Sequence, residues 1–144
     1  MSLNKYYCSA VIYPSLIAIL LTSAFSVIDN HDYQSEWLTP NSVIFISILT
    51  VILYSLLICG LALTIFLNRY EKIGGNPLLK TLSWFLLPGG CISIALLNDI
   101  SHRLKYEMEF DTSFIYVLLL NVPFILGIIR SYLKFTRTDS AELN

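Results

Sequence analysis

A chain of 144 residues has room for one modest domain, and at 13% charged residues it carries about half the charge of an ordinary soluble domain. Apolar residues make up 56% and mean hydropathy is +0.68, more apolar surface than a soluble fold of this size can hide from water. The formal net charge of −1 gives no broad basic surface, and no nucleic-acid partner is expected.

The charges are crowded into the gaps between long uncharged windows. The first window runs from Tyr6 to Ile28 and holds no charge. It outruns the roughly 7–15 apolar residues of a signal peptide and lacks a clean small-x-small boundary, so it reads as a spanning helix. Pro14, Ala18, Thr22 and Ser26 recur every fourth residue within it. Small residues at that spacing let helix backbones approach closely, inside a bundle or across a homo-oligomer seam. The loop that follows is polar and ends Thr39-Pro40-Asn41-Ser42, where Asn41 or Ser42 is expected to cap the next helix.

The second window, Ser42 to Leu67, is again uncharged and long enough to tilt. Ser47, Tyr54, Ser55 and Cys59 offer weaker polar contacts along it. A hairpin with Gly74-Gly75-Asn76-Pro77 follows, where glycine supplies positive φ and proline opens the next helix.

The third window, Thr81 to Asn98, sits at the lower length limit for a span, between Lys80 and Asp99. Pro88-Gly89-Gly90 near its middle is expected to kink or unwind the helix, because proline removes a donor and clashes with the preceding turn. Two readings stand for that break: a substrate or ion path, or a close contact with a neighbouring helix. Asp99 to Asp111 alternates in charge and reads as an outer loop with room for a short surface helix.

The fourth window runs from Thr112 to Ile129, extends to residue 133 as a helix, and carries Arg130 as an anchor near its end. Asn121 and Pro123 lie at mid-membrane depth. The Asn121 amide needs partners there, across to another helix or on backbone groups freed by Pro123. Residues 136–144 form a polar tail expected to fray.

Together the windows predict a single all-α membrane domain over 1–144. It is a polytopic four-helix transmembrane bundle with spans near 6–28, 42–67, 81–98 and 112–133, antiparallel up-down connectivity, and N and C termini cytoplasmic. The alternating polarity of a membrane β-barrel is missing from runs such as Ile17 to Leu21 and Val117 to Leu120. Orientation comes from basic residues: Lys5, Arg69, Lys72, Lys80, Arg130, Lys134 and Arg137 fall on one side, and Arg103 and Lys105 on the other. Tyr6, Tyr7, Tyr70, Trp84 and Tyr132 fall near the inner boundary, and Tyr33, Trp37 and Tyr106 near the outer, where amphipathic rings favour the interface.

Functional signals are sparse. The windows hold no deep ionisable group, which argues against a pump or proton-coupled carrier. His31 and His102 read as exposed loop residues and Cys8, Cys59 and Cys91 as reduced thiols; no metal, cofactor or catalytic residue is expected. Asp29, Asp32, Glu36, Asp99, Glu107, Glu109 and Asp111 face outward against Arg103 and Lys105 and offer an acidic surface to a cationic protein partner. The four-helix plan with both ends inside resembles that of pore-forming-colicin immunity proteins. The likeness is one of topology and carries over no residue. It implies a non-enzymatic binding or accessory protein of a bacterial inner membrane, immunity-type for example, recognising its partner through the acidic outer loops. Two alternatives are an oligomeric channel or solute carrier lined at Pro88, Gly89, Gly90, Asn121 and Pro123, and a lipid-acting membrane enzyme.

Overall fold

The computed structural model describes residues 3–32, 37–106 and 111–142, with side chains through 138. Tyr33, Glu36, Glu107 and Glu109 lie outside the described residues. Among the described residues all regular structure is helical. The helices are α1 (Leu3–Asp29), α2 (Pro40–Arg69), the single-turn α3 (Glu71–Gly74), α4 (Pro77–Lys105) and α5 (Thr112–Glu142). The apolar stretches of α1, α2, α4 and α5 span 27, 30, 29 and 27 residues, long and apolar enough to cross a membrane. At ~1.5 Å per residue each exceeds the ~30 Å hydrocarbon thickness, so in a bilayer the ends would reach the headgroup layers or the helices would tilt.

Local chemistry explains the helix boundaries, not always as the sequence suggests. The α2 cap is Thr39, neither Asn41 nor Ser42. Its Oγ1 accepts from the Ser42 backbone N–H at 3.3 Å, and Pro40 takes the first turn, where a missing N–H is harmless. At α4 the Asn76 Oδ1 accepts from the N–H groups of Leu78 and Leu79 at 2.9 and 3.3 Å, with Pro77 next to it. Gly75 has φ −76°, so that hairpin does not use positive φ. Its glycines answer to crowding instead: a Cβ on Gly74 would sit 2.8 Å from the Asn68 carbonyl oxygen. Asp99 belongs to α4, which runs on to Lys105, and the expected outer loop is correspondingly short. The expected fraying of the tail is not seen among the described residues: α5 continues to Glu142, and Tyr6 Oη donates to Thr138 Oγ1 at 3.3 Å.

The interior mixes small and polar residues with large apolar ones such as Ile58, Ile65, Trp84, Phe124 and Ile128. Ser15, Ala18, Thr22 and Ser26 of α1 are buried, with Ser55 of α2 and Asn121 of α5. Leu20, Ile28, Leu56, Ile94 and Leu126 point outward, each more than 60% exposed. Lipid tails solvate leucine as well as a protein core does, so only close backbone approach and hydrogen bonding favour the interior. The four-residue stripe on α1 is accordingly buried within one chain.

Large aromatic residues gather at one end. Trp84 is fully buried against Tyr132 and Phe135 at 5.7 and 5.4 Å between ring centres, and Tyr6 meets Phe135 at 5.5 Å. Tyr6 and Trp84 are therefore interior wedges, not the interface anchors their position in the sequence suggests. Helix α4 narrows toward α2 here as well: Thr64 Oγ1 donates to the Ser83 carbonyl and Asn68 Nδ2 to Ser83 Oγ, both at 2.6 Å.

Candidate functional site

Proline and glycine act at different places from those the sequence suggests. Helix α4 is continuous through Pro88, so the expected unwinding does not occur. Nor do the following glycines serve a close contact: a Cβ on Gly90 would meet nothing within 4 Å, and one on Gly89 only Phe85 Cβ at 3.8 Å. Pro88 itself is buried. The irregular turns lie elsewhere. Cys8–Ile12 is a π-helical turn in which the Tyr13 N–H reaches back to the Cys8 carbonyl. Pro14 is its cause: the ring cannot donate and crowds the carbonyl four residues back, so a wider turn relieves the clash. Ala62–Arg69 at the end of α2 is a 3₁₀ helix, where Asn68 Nδ2 bonds the Ile65 carbonyl at 2.8 Å and Thr64 Oγ1 the Leu61 carbonyl at 3.1 Å. Such long 3₁₀ runs are uncommon, and the bonds to Ser83 hold this one.

The close crossing of the bundle is at Gly127, a residue the sequence did not single out. A Cβ there would overlap the Pro14 ring and stand 2.7 Å from the Ala10 carbonyl oxygen. The carbonyl that Pro14 leaves without its helical donor is thus covered by the bare backbone of α5. Four positions earlier on the helix, Pro123 is half-buried and donates nothing of its own.

Asn121, 1% exposed, ties helices together. Its Oδ1 accepts from Tyr54 Oη at 2.6 Å, and its Nδ2 donates to the Val117 carbonyl at 2.8 Å. Of the two arrangements open to it, the cross-helix bond is the one formed; the carbonyl it reaches precedes the one freed by Pro123. A second tie joins α1 to α2: Tyr7 Oη donates to the Cys59 carbonyl at 2.9 Å, and Ser15 Oγ lies 3.3 Å from Cys59 Sγ. The cysteines are all free thiols.

At the opposite end from the chain termini, the acidic residues divide into two groups. Asp99 and Asp111 close on Arg103, which is 4% exposed. Arg103 Nε donates to Asp99 Oδ2 at 2.8 Å and Nη1 to Asp111 Oδ1 at 2.9 Å; Nη2 also bonds Ser113 Oγ, and the guanidinium lies 5.4 Å from the Phe114 ring centre. Asp111 accepts from the Ser113 N–H as well, capping α5. The Ser113 hydroxyl, then the Arg103 guanidinium, hold the Asp111 carboxyl down to about 2. This clasp fastens the end of α4 to the start of α5. Its spacing signal, Asp99 four residues before Arg103, is legible in the sequence, but the closing partner Asp111 is not.

Asp29 and Asp32 remain outward. Asp29 is exposed, and the Asp32 side chain is 94% exposed, 2.7 Å from His31 Nδ1. Trp37, 89% exposed, stands in the same loop. His102 stacks on Tyr106 with 4.7 Å between ring centres. Among the described residues no three His, Cys, Asp or Glu side chains converge on a common point that a metal ion would occupy. Compared with protein-family models, curated proteins and solved structures, the chain matches none.

Proposed function

We propose that the chain is a non-enzymatic binding or accessory protein of a bacterial inner membrane, immunity-type in its concrete form, that meets a cationic protein partner through its first outer loop. The observation that carries this reading is the division of the acids: Asp99 and Asp111 are both paired with Arg103, whereas Asp29 and Asp32 stay exposed in the loop that also carries the exposed Trp37. Exposed charge steers a complementary partner and tryptophan anchors it. Among the described outer acids the exposed charge not paired with Arg103 is at Asp29 and Asp32, with Glu36 following them in sequence, and the proposed surface is centred there.

The reading includes an antiparallel up-down order with both termini cytoplasmic. Contacts between residues far apart in sequence favour it. Tyr6 meets Thr138, Pro14 approaches Gly127 and Asn30 Nδ2 bonds Tyr116 Oη at 3.0 Å, a series that runs in opposite directions along α1 and α5. The bias of lysine and arginine toward the end that holds the termini favours the cytoplasmic side for it. The channel reading is weakened by the unbroken α4 at Pro88 and by Asn121 being engaged with Tyr54.

The test is affinity capture of the tagged, full-length protein in mild detergent, with Asp29→Lys, Asp32→Lys and Glu36→Lys combined. A partner whose capture falls about tenfold on reversal, and falls with added salt in the parent, supports the reading. Glu71→Lys in the other loop is the control and leaves capture unchanged. Partners that all survive the triple reversal refute it.

A further inference from the structure

At the end that carries both termini, an open-sided cavity of about 470 Å³ lies between α1 and α5, lined by Lys5, Ser9, Tyr13, Arg130, Ser131 and Lys134 among others. Lys5, Ser9 and Tyr13 recur every fourth residue on α1, and Arg130 and Lys134 are four apart on α5, so two columns of side chains face one another. Three cations share this space, and among the described residues no acidic side chain lines it. Among the described residues none of the three has a carboxylate within ion-pair distance. Like charges four apart on a helix repel, so the arrangement lacks an anion.

A buried hydroxyl indicates the same. Ser131 is 2% exposed, lines the cavity, and its Oγ has no hydrogen-bond partner. A serine in lipid ordinarily satisfies itself on the carbonyl four residues back, as Ser15 does on Val11 at 2.8 Å. Ser131 Oγ has no such partner, as is true of Thr22, Ser26 and Ser55, but Ser131 is the one of these four that lines this cavity. Three cations and an unpartnered hydroxyl, with no competing acid among the described residues, complement the oxygens of a phosphate.

The cavity does not end at the headgroup level. A groove of about 410 Å³ shares Ser9, Tyr13 and Arg130 with it and continues between Pro14, Ile17 and Leu21 of α1 and Val122 and Leu126 of α5. It is apolar below Arg130, and the Pro14–Gly127 contact forms its wall. A free phosphate has no use for such an extension, whereas an acyl chain fills it. From this continuity of a cationic mouth and an apolar channel, we infer a binding site for one anionic glycerophospholipid. Its phosphate sits among Lys5, Arg130, Lys134 and Ser131, and one acyl chain lies along the groove. Basic pockets between membrane helices favour anionic headgroups for this electrostatic reason. The lipid braces α1 against α5 beside their closest crossing. The inference needs the chain in a bilayer but not the outer-loop partner.

The experiment presents the purified full-length protein, in neutral detergent, with equal amounts of dioleoyl phosphatidylglycerol and dioleoyl phosphatidylcholine, and counts retained lipid by native mass spectrometry. One phosphatidylglycerol per chain is expected, preferred about tenfold over phosphatidylcholine. Arg130→Gln with Lys134→Gln removes the preference. Leu126→Trp fills the groove and lowers retention with all three cations intact. Lys105→Gln at the other end, and the Asp29 and Asp32 reversals, leave retention unchanged, which separates this test from that of the outer loop. Circular dichroism checks that each variant is folded, and Lys5→Gln replaces any that is not. Equal retention of the two lipids overturns the proposal. So does phosphatidylglycerol retention untouched by Leu126→Trp but abolished by millimolar inorganic phosphate, which marks a site for the phosphate group alone.

Discussion

Replacing Gly127 with alanine tests the packing of the bundle most directly. The new Cβ would overlap the Pro14 ring and lie 2.7 Å from the Ala10 carbonyl oxygen. Both obstacles are rigid, a pyrrolidine ring and a backbone carbonyl, so α5 must move away from α1. Overpacking of this kind costs about 1–3 kcal/mol, and a clash with backbone belongs at the upper end. Gly90→Ala, also in a membrane helix, meets nothing within 4 Å. There the gain in helix propensity, about 0.8–1 kcal/mol in water, is unopposed. The two substitutions are chemically identical and should differ by about 3 kcal/mol. Titration with a denaturing detergent, followed through the emission of the buried Trp84 in a Trp37→Phe background, gives both values. Pro14→Ala in the Gly127→Ala chain removes the ring but not the carbonyl, so it should recover part of the loss, a coupling that a double-mutant cycle measures. If Gly127→Ala and Gly90→Ala behave alike, the close crossing of α1 and α5 is wrong.

Other consequences follow from the hydrogen bonds. Tyr54→Phe removes the 2.6 Å bond to Asn121 and is expected to lower stability by about 0.6–1.7 kcal/mol, the range for such bonds in membranes; in an Asn121→Leu background the same change should have little further effect. Thr39→Ala removes the cap of α2 and should destabilise by about 1 kcal/mol, with hydrogen exchange rising at Ser42 and Val43 first. The α4–α5 clasp should be acid-sensitive. Asp111 is held at about 2 in the fold, below its unfolded value of about 3.9, so its stabilising effect is complete above pH ~4 and disappears as pH falls through ~2. Asp111→Asn should remove that dependence from the exchange rates of the Ser113 and Phe114 amides; a parent whose rates do not change across this window would refute the assignment.

The four long apolar helices were legible because an apolar solvent judges each window by its own residues. Uncharged runs around Leu20, Leu53, Leu86 and Leu119 are enough to place four apolar helices, and their bounds move only outward in the fold. The stripe of Pro14, Ala18, Thr22 and Ser26 was legible as a packing face for a similar reason, since the helical period alone puts those residues together. Pro88-Gly89-Gly90 misled as a point of unwinding, because a proline–glycine string opens a helix only in proportion to what its neighbours leave unsupported. Here α4 passes through it without interruption, and the irregular turns fall at Cys8–Ile12 and Ala62–Arg69 instead. Trp84 misled in the same manner: its depth suits an interface ring, but its face of the helix turns inward.

What the sequence determines by itself is how many of its helices are long and apolar enough to cross a membrane, because transfer free energy accumulates residue by residue along each window. Which way each helix is turned about its own axis belongs to the tertiary structure. That rotation sets Gly127 against Pro14 and joins Arg103 to both Asp99 and Asp111. It also collects Lys5, Arg130, Lys134 and the hydroxyl of Ser131 around one cavity. Each of these groupings joins residues from different helices or from opposite sides of a loop, and their meeting depends on shape complementarity between whole helix faces, which no single window contains.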